Sequence, residues 1–100
     1  MNTTKEIREY LLGEISMFGV GLRKQKVDMP YAAKIVFAYY GGDGPTIWAE
    51  VYPGNGPTTR TFELFNSRRR HEIPSHAVHV FSRVGNSTVE AWHLYDTSPP

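Results

Sequence analysis

The most concentrated charge in the sequence is a run of basic residues with one further arginine on either side: Arg68-Arg69-Arg70-His71, Arg60 and Arg83. Three adjacent guanidinium groups repel one another, and an anionic partner would relieve that repulsion; phosphate matches the fork of the guanidinium. The alternative for such a run is a solvated loop with no partner. The sequence therefore predicts that the three adjacent arginines lie on an exposed loop and contribute to binding rather than to stability.

The chain contains no cysteine, which excludes thiolate metal sites, so the search for a metal site begins with the histidines. The four histidines are His71, His76, His79 and His93. A strand would place His76 and His79 on opposite faces, since their separation is odd, and the spacing from His71 to His76 matches no recognised pair of zinc ligands. The sequence therefore predicts no metal site, and it contains no pattern for any other cofactor.

Carboxylates that could pair with a histidine as acid and base are scattered along the chain: Glu50, Glu63, Glu72, Glu90 and Asp96. Their spacing fixes no geometry, and the sequence has no G-x-S-x-G, no P-loop and no dinucleotide fingerprint. The glycine-rich segment 41–44 joins two predicted strands, so it lacks the helix N-terminus that would hold a phosphate. We therefore predict a protein without catalytic residues. A pocket containing His79, Glu90 or His93 would instead favour a ligand-binding or catalytic domain.

The elements that would position these residues begin with a helix. Thr3-x-x-Glu6 matches a capping box, and apolar residues follow at steps of four, four, three and four: Ile7, Leu11, Ile15, Phe18 and Leu22. That spacing places them on one helical face. We therefore predict an amphipathic helix over about residues 3–22, and residues 20–27 stay open between a last helical turn and a short strand.

From Tyr31 the apolar period changes to two, which is typical of strands. Five strands are predicted, joined mostly by short turns: residues 32–40, 46–52, 58–65, 76–84 and 88–95. The predicted fold class is α+β, with the N-terminal helix packed on a roughly five-stranded, meander-like antiparallel sheet in a single domain, residues 1–100. This outline, one long helix followed by a meander, is similar to cystatin-like architectures in topology alone, which implies nothing about activity.

Alternation along these strands gives two sets of residues. The first set is apolar core: Ile35, Phe37, Ile47, Ala49, Val51, Phe62, Leu64, Val78, Val80, Val89 and Ala91. The second set is rich in aromatic residues: Val36, Tyr40, Trp48, Tyr52, Phe65, His79, Phe81, Trp92 and Leu94. One helix is about 10 Å wide and covers only two or three strands spaced ~4.8 Å apart, so it cannot cover both faces. The second set is either a binding surface or core that a different register or a curved sheet turns inward.

The composition is that of a globular protein, with 40% hydrophobic residues, 13% aromatic residues and a formal net charge of +1. Our leading hypothesis is a small non-catalytic interaction protein that docks an aromatic and arginine surface on another macromolecule, either a protein partner or a second copy in a dimer. The residues predicted to bind are Tyr40, Trp48, Tyr52, Arg60, Arg68, Arg69, Arg70, Phe81, Arg83 and Trp92. Size and composition resemble those of phage- and mobile-element-encoded inhibitors of host machinery, anti-CRISPR proteins among them.

Two alternative functions stay open. A single-stranded nucleic-acid-binding domain would use the aromatic residues to stack bases, but no RNP, KH or helix-turn-helix pattern is present and the pI of about 8.1 lies below the value of ~9 typical of such domains. The other alternative is a small ligand-binding or catalytic α+β domain. The chain has no apolar run that approaches the ~20 residues of a membrane span and no apolar stretch of a signal peptide, so we predict a cytoplasmic protein that does not bind membranes.

Overall fold

The computed structural model describes residues 4–15, 23–41, 44–66, 72–84 and 91–99. Within these residues the protein is all-β and has no helix, and so none that could cross a membrane. Seven strands follow one another: β1 (Glu6–Leu11), β2 (Lys24–Pro30), β3 (Lys34–Gly41), β4 (Gly44–Val51), β5 (Pro57–Asn66), β6 (Val78–Val84) and β7 (Ala91–Asp96). They form two antiparallel sheets, one with three strands in the order β1-β4-β3 and one with four strands in the order β2-β5-β7-β6.

The predicted N-terminal helix, and with it the α+β fold class, is wrong. Residues Glu6–Leu11 form β1, which pairs antiparallel with β4 along its whole length. Ile7 and Leu11 are four residues apart, and because four is even, the same spacing also places both on one face of a strand. Pairing of this segment with the apolar strand β4 favours the strand over the helix. The cystatin-like outline required the helix and does not apply; the predicted helical residues 16–22 lie outside the described residues.

The predicted single five-stranded meander is also wrong, because the chain changes sheets between β4 and β5. Strand β5 pairs with β2 on one side and β7 on the other, so β4 and β5 lie in different sheets. Strands β3 to β7 lie in the same segments of the chain as the five predicted strands. Residues 20–27 were predicted to be either a last helical turn or a short strand. Of these, residues 24–27 belong to strand β2, and residues 20–22 lie outside the described residues. That residues 1–100 form one domain stays a prediction.

The core lies between the two sheets and is built from alternate residues of the central strands. Along β4, Ile47, Ala49 and Val51 are fully buried, each 0% exposed. The four-stranded sheet contributes the buried residues Phe62, Leu64, Trp92 and Leu94. The alternation predicted for β4 and β5 is thus confirmed, and it turns the remaining side chains of these strands towards the outer faces, where the candidate sites lie.

Strands β3 and β6 each contain a β-bulge, which reverses the alternation. The pairing register shifts between Ile35 and Phe37 in β3 and between His79 and Phe81 in β6. One extra residue moves every following side chain to the opposite face of the strand. Phe37 is therefore 59% exposed and Tyr40 only 7% exposed. The prediction that Phe37 is core is wrong, and the bulge is the reason.

Candidate functional site

The outer face of the three-stranded sheet carries a compact block of side chains whose positions follow from the pairing register. Paired residues share a face, so each outward-pointing residue of β4 lies between one residue of β1 and one of β3. The three rows, each in the order β1, β4, β3, are Ile7-Glu50-Lys34, Glu9-Trp48-Phe37 and Leu11-Thr46-Tyr39. Trp48 therefore lies at the centre of the block.

Most of the apolar side chains in this block are open to solvent. Ile7 is 63% exposed, Leu11 50%, and Phe37 and Tyr39 59% each. The half-buried ring of Trp48 lies among them, its centroid 5.4 Å from that of Phe37 with the two planes inclined at 50°. We call these five residues the aromatic patch. A contiguous apolar surface with a polar rim is typical of sites that bind other molecules.

Among the described residues, the charged side chains within the block and at its β1 edge show no net excess of either sign. Glu9, Glu50 and Lys34 belong to the same block of side chains. Lys5 reaches it from the edge, where its Nζ lies 4.0 Å from Glu50 Oε1 and 5.7 Å from the centroid of the Tyr52 ring. Two carboxylates are thus balanced by two ammonium groups. These four charges together would give a polyanion no net attraction, because its affinity depends on an excess of cations.

The structure does not bring the five aromatic residues predicted to bind onto one surface. Trp48 lies in the aromatic patch, and Tyr52 lies at its rim beneath Lys5. Phe81 is half-buried and packs against the core. Tyr40 and Trp92 are buried, with exposures of 7% and 6%. A role of these residues in binding stays a prediction, and burial restricts what the last two offer to a partner.

Sequence reasoning missed two of the most exposed members of the patch, Phe37 and Tyr39. Strict alternation from Ile35 predicts that both point inward, whereas the bulge turns them outward. No residue type in this segment marks the bulge. The only indirect signal is the continuous apolar run from Ile35 to Tyr40, because such a run is compatible with either set of alternate residues facing the core.

The two described arginines that were predicted to bind both make contacts within the protein, although Arg60 is half-buried and Arg83 is exposed. Arg60 donates from Nε and Nη2 to Asp96 Oδ2, at 2.9 and 2.5 Å, and from Nη1 to the carbonyl oxygen of Ala33 at 2.7 Å. Arg83 donates from Nη1 to the carbonyl oxygen of Tyr40 at 3.0 Å, and its guanidinium lies 5.2 Å from the Tyr40 ring centroid. Outside the described residues lie Arg68, Arg69 and Arg70. Binding by any of these five arginines stays a prediction.

Asp96 is a buried carboxylate that is fully paired. Its Oδ2 accepts from Arg60, and its Oδ1 accepts from the backbone N–H and the hydroxyl of Ser98, at 3.0 and 2.6 Å. Burial by itself raises the pKa of the Asp96 carboxyl, but the hydrogen bonds from Ser98 and the hydrogen bond and charge of Arg60 outweigh it, so the pKa lies below its ordinary value of 3.8. The ion pair is therefore intact at neutral pH.

We expect the protein to lose stability on acidification below about pH 4. Because the pKa of Asp96 is lower in the folded protein than in the unfolded chain, the ion pair contributes stability that is fully present above 3.8 and is lost as the pH falls through the folded value. Urea unfolding near pH 7 and near pH 3 measures this loss. The Asp96→Asn variant has no proton to bind at this position and should lose less; an equal loss in both proteins would contradict the assignment.

The outer face of the four-stranded sheet carries a second cluster of polar side chains. His79 Nε2 lies 2.7 Å from Ser82 Oγ, and His93 Nδ1 lies 2.6 Å from the same oxygen. We call these three residues the serine–histidine cluster. His79 and Ser82 are three positions apart and would face opposite sides of a regular strand, but the bulge in β6 brings them to one face. Sequence reasoning named both histidines as markers of a ligand-binding or catalytic domain and missed Ser82.

The described residues contain no group of three or more His, Asp or Glu side chains that could hold a metal ion. His79 and His93 share a hydroxyl, while His76 lies elsewhere, with its Nε2 3.1 Å from the carbonyl oxygen of Thr97. Glu90 and His71 lie outside the described residues. The absence of a metal and of any other cofactor stays a prediction.

The family described as "Domain of unknown function (DUF7352)" matches residues 17–100 of the chain. The chain belongs to this family. The matched part contains β2 to β7, and hence the serine–histidine cluster and the β3 and β4 residues of the aromatic patch, whereas β1 precedes it. No curated protein and no solved structure matches the chain. Nothing in these comparisons indicates a catalytic function, so the geometry of the two outer faces carries the functional argument.

Proposed function

We propose that this protein is an interaction module that docks the aromatic patch on another protein. One observation carries the proposal: around Trp48, four apolar side chains of one sheet face are half or more exposed. Fully burying a side chain of this size is worth about 1.5–3 kcal/mol, and buried anchors of this kind, Trp and Tyr in particular, dominate the affinity of protein interfaces. A partner that covers the patch would gain this free energy.

The charges around the patch favour a protein partner over single-stranded nucleic acid. Aromatic rings can stack bases, but contacts with the phosphate backbone supply much of the affinity for nucleic acid. Glu9 and Glu50 would repel that backbone and cancel the attraction of Lys5 and Lys34. We therefore expect the affinity for the partner to change little with salt, whereas binding to nucleic acid would weaken steeply.

The same charges favour a different protein over a second copy of this chain. Two copies that stack this face on itself are related by a two-fold axis. If the axis passes through Trp48 parallel to the strands, Glu50 of one copy lies over Glu50 of the other. If the axis runs across the strands, Glu9 of one copy lies over Glu9 of the other. Like charges opposite one another weaken an interface. A partner with a cation opposite one of these carboxylates fits the patch better.

A cytoplasmic location is part of this proposal. The chain contains no cysteine, which suits a reducing compartment, because small domains in oxidising compartments are often rich in disulfides. The two sheets are instead held together by their shared apolar core. Such a domain needs no cross-link that a reducing environment would break.

The test measures binding to a purified partner. Proteins captured from a lysate of the source cells by the wild-type chain are identified, purified and titrated calorimetrically against variants. Phe37→Ser combined with Tyr39→Ser is expected to weaken binding by at least ~30-fold, because two anchors that each contribute more than about 1 kcal/mol are lost. Val84→Ser is the matched control, since Val84 is equally open, at 61% exposed, but lies in the other sheet.

Circular dichroism should show that all these variants remain folded, because surface substitutions usually change stability by about 0.5 kcal/mol or less. An unchanged affinity in the Phe37 and Tyr39 variant would contradict the proposal. Sedimentation that shows a wild-type dimer, dissociated by the same two substitutions, would assign the patch to self-association. If the purified protein retains nucleic acid, and added salt releases that nucleic acid, the aromatic patch would be assigned to nucleic-acid binding.

A further inference from the structure

The serine–histidine cluster has a chemistry that the proposed docking function does not use. We propose that Ser82 is a nucleophile that attacks carboxylic esters, with the imidazoles of His79 and His93 moving its proton. One hydroxyl oxygen lies within hydrogen-bond distance of a nitrogen from each ring, at 2.7 Å and 2.6 Å. A nucleophile and a base separated by about 2.6–3.2 Å have the geometry that covalent catalysis requires.

The single proton of the Ser82 hydroxyl fixes the roles of the two rings. The hydroxyl can donate that proton to only one ring nitrogen, so the contact with the other ring is favourable only when that ring donates its own N–H to the oxygen. A neutral pair of histidines therefore presents one acceptor and one donor to Ser82. The acceptor can take the hydroxyl proton as a general base, and the donor can hold the serine oxygen in a fixed position through its N–H.

Packing holds both rings in position. The ring of Tyr95 meets that of His79 edge-on, with centroids 5.3 Å apart and planes inclined at 69°. His93 is half-buried and lies opposite Phe65 on β5 and Ser82 on β6. Rings that are already oriented need little reorganisation before they react. This distinguishes Ser82 from a serine beside a freely rotating histidine.

An adjoining cavity indicates which esters would fit. It has a volume of about 410 Å³ and is bounded by residues of β3 and β6: Ala38, Tyr39, Tyr40, Phe81, Ser82 and Arg83. Three of these six residues are aromatic, and the volume lies towards the lower end of the range of about 300–1,000 Å³ that is usual for small-molecule sites. An ester with an aromatic or short aliphatic acyl group therefore matches this cavity.

The reaction balances with the ester and water alone. The Ser82 oxygen bonds to the carbonyl carbon of the ester while its proton passes to the acceptor imidazole. The tetrahedral intermediate then expels the alcohol, which leaves with that proton, so that the products are an acyl ester on Ser82 and two neutral rings. Attack by water, deprotonated by the same ring, releases the carboxylic acid and restores the hydroxyl.

4-Nitrophenyl acetate tests the proposal on the full chain. Release of 4-nitrophenolate gives the rate, and mass spectrometry should locate the acetyl group on the peptide that contains Ser82. Ser82→Ala should reduce acetylation to the background rate. Glutamine can donate an N–H but cannot act as a base, so replacing the acceptor histidine with Gln should lower the rate on the order of 100-fold. The two variants are His79→Gln and His93→Gln, and we expect the one that replaces the donor histidine to lose less of the rate.

Ser75→Ala is the matched control, because Ser75 is an exposed serine outside the cluster, and its rate should equal that of the wild type. A fluorophosphonate supplies a readout that needs no substitution, since the labelled residue of the wild-type chain identifies the nucleophile directly. A single phosphonyl group on Ser82 supports the proposal. Labelling of other residues in place of Ser82, or a wild-type rate no higher than that of Ser82→Ala, would overturn it.

Discussion

Replacing Asp96 with alanine is expected to lower the free energy of unfolding by about 3–5 kcal/mol. The substitution leaves the guanidinium of Arg60 without its carboxylate in a site where the arginine side chain is only 19% exposed. A domain of this size has a total stability of about 5–15 kcal/mol, so the loss is a large share of the whole. Urea unfolding followed by circular dichroism measures it.

Glu50→Ala is the matched control for Asp96→Ala, because it also removes one carboxylate from an ion pair. It breaks the ion pair between Lys5 and Glu50, whose side chains are 52% and 34% exposed, respectively. A solvent-accessible pair of this kind contributes about 1 kcal/mol or less. Arg60→Met combined with Asp96→Leu removes both buried charges together and should recover most of the lost stability. If Asp96→Ala costs no more than Glu50→Ala, the pair is not structural, and Arg60 would be available for the binding role that the sequence predicted.

The N-terminal segment shows why an apolar period can indicate the wrong element. Ile7, Leu11 and Ile15 are spaced by four residues, and that spacing keeps them on one face of a helix and also on one face of a strand. In the protein Ile15 is 2% exposed, after a turn at residues 13–14, while Ile7 and Leu11 stay open to solvent. Pairing with a strand more than thirty residues away resolves the ambiguity. Local spacing contains no information about that pairing.

The bulges explain which part of the candidate sites could be predicted. Trp48 lies on β4, where regular alternation holds, so its outward position follows from its neighbours in sequence. Phe37 and Tyr39 follow the bulge in β3, and Ser82 follows the bulge in β6. A bulge depends on how a strand pairs with its neighbour, which the strand's own residues do not specify. Both sites that we propose therefore contain residues that alternation alone places on the wrong face.

Replacing Trp92 with alanine is expected to cost about 3–5 kcal/mol of stability, the other large effect in this protein. The indole is 6% exposed and belongs to the core between the sheets. The guanidinium of Arg23 lies 4.2 Å from the centroid of its ring. Truncation therefore leaves a cavity and removes a cation–π contact. Urea unfolding of the variant and the wild type under the same conditions measures the difference.

Trp48→Ala is the matched comparison for Trp92→Ala. It also removes a tryptophan side chain, but from the outer face of the three-stranded sheet and not from the core. Trp48 is half-buried against Phe37 and opens no enclosed cavity when truncated, so we expect a loss of about 1 kcal/mol in stability together with weaker binding to the partner. A variant with both tryptophans changed to serine should unfold, and Trp92→Ser alone should account for the unfolding. If Trp48→Ala unfolds the chain and Trp92→Ala leaves it stable, the two faces are inverted and the aromatic patch belongs to the core.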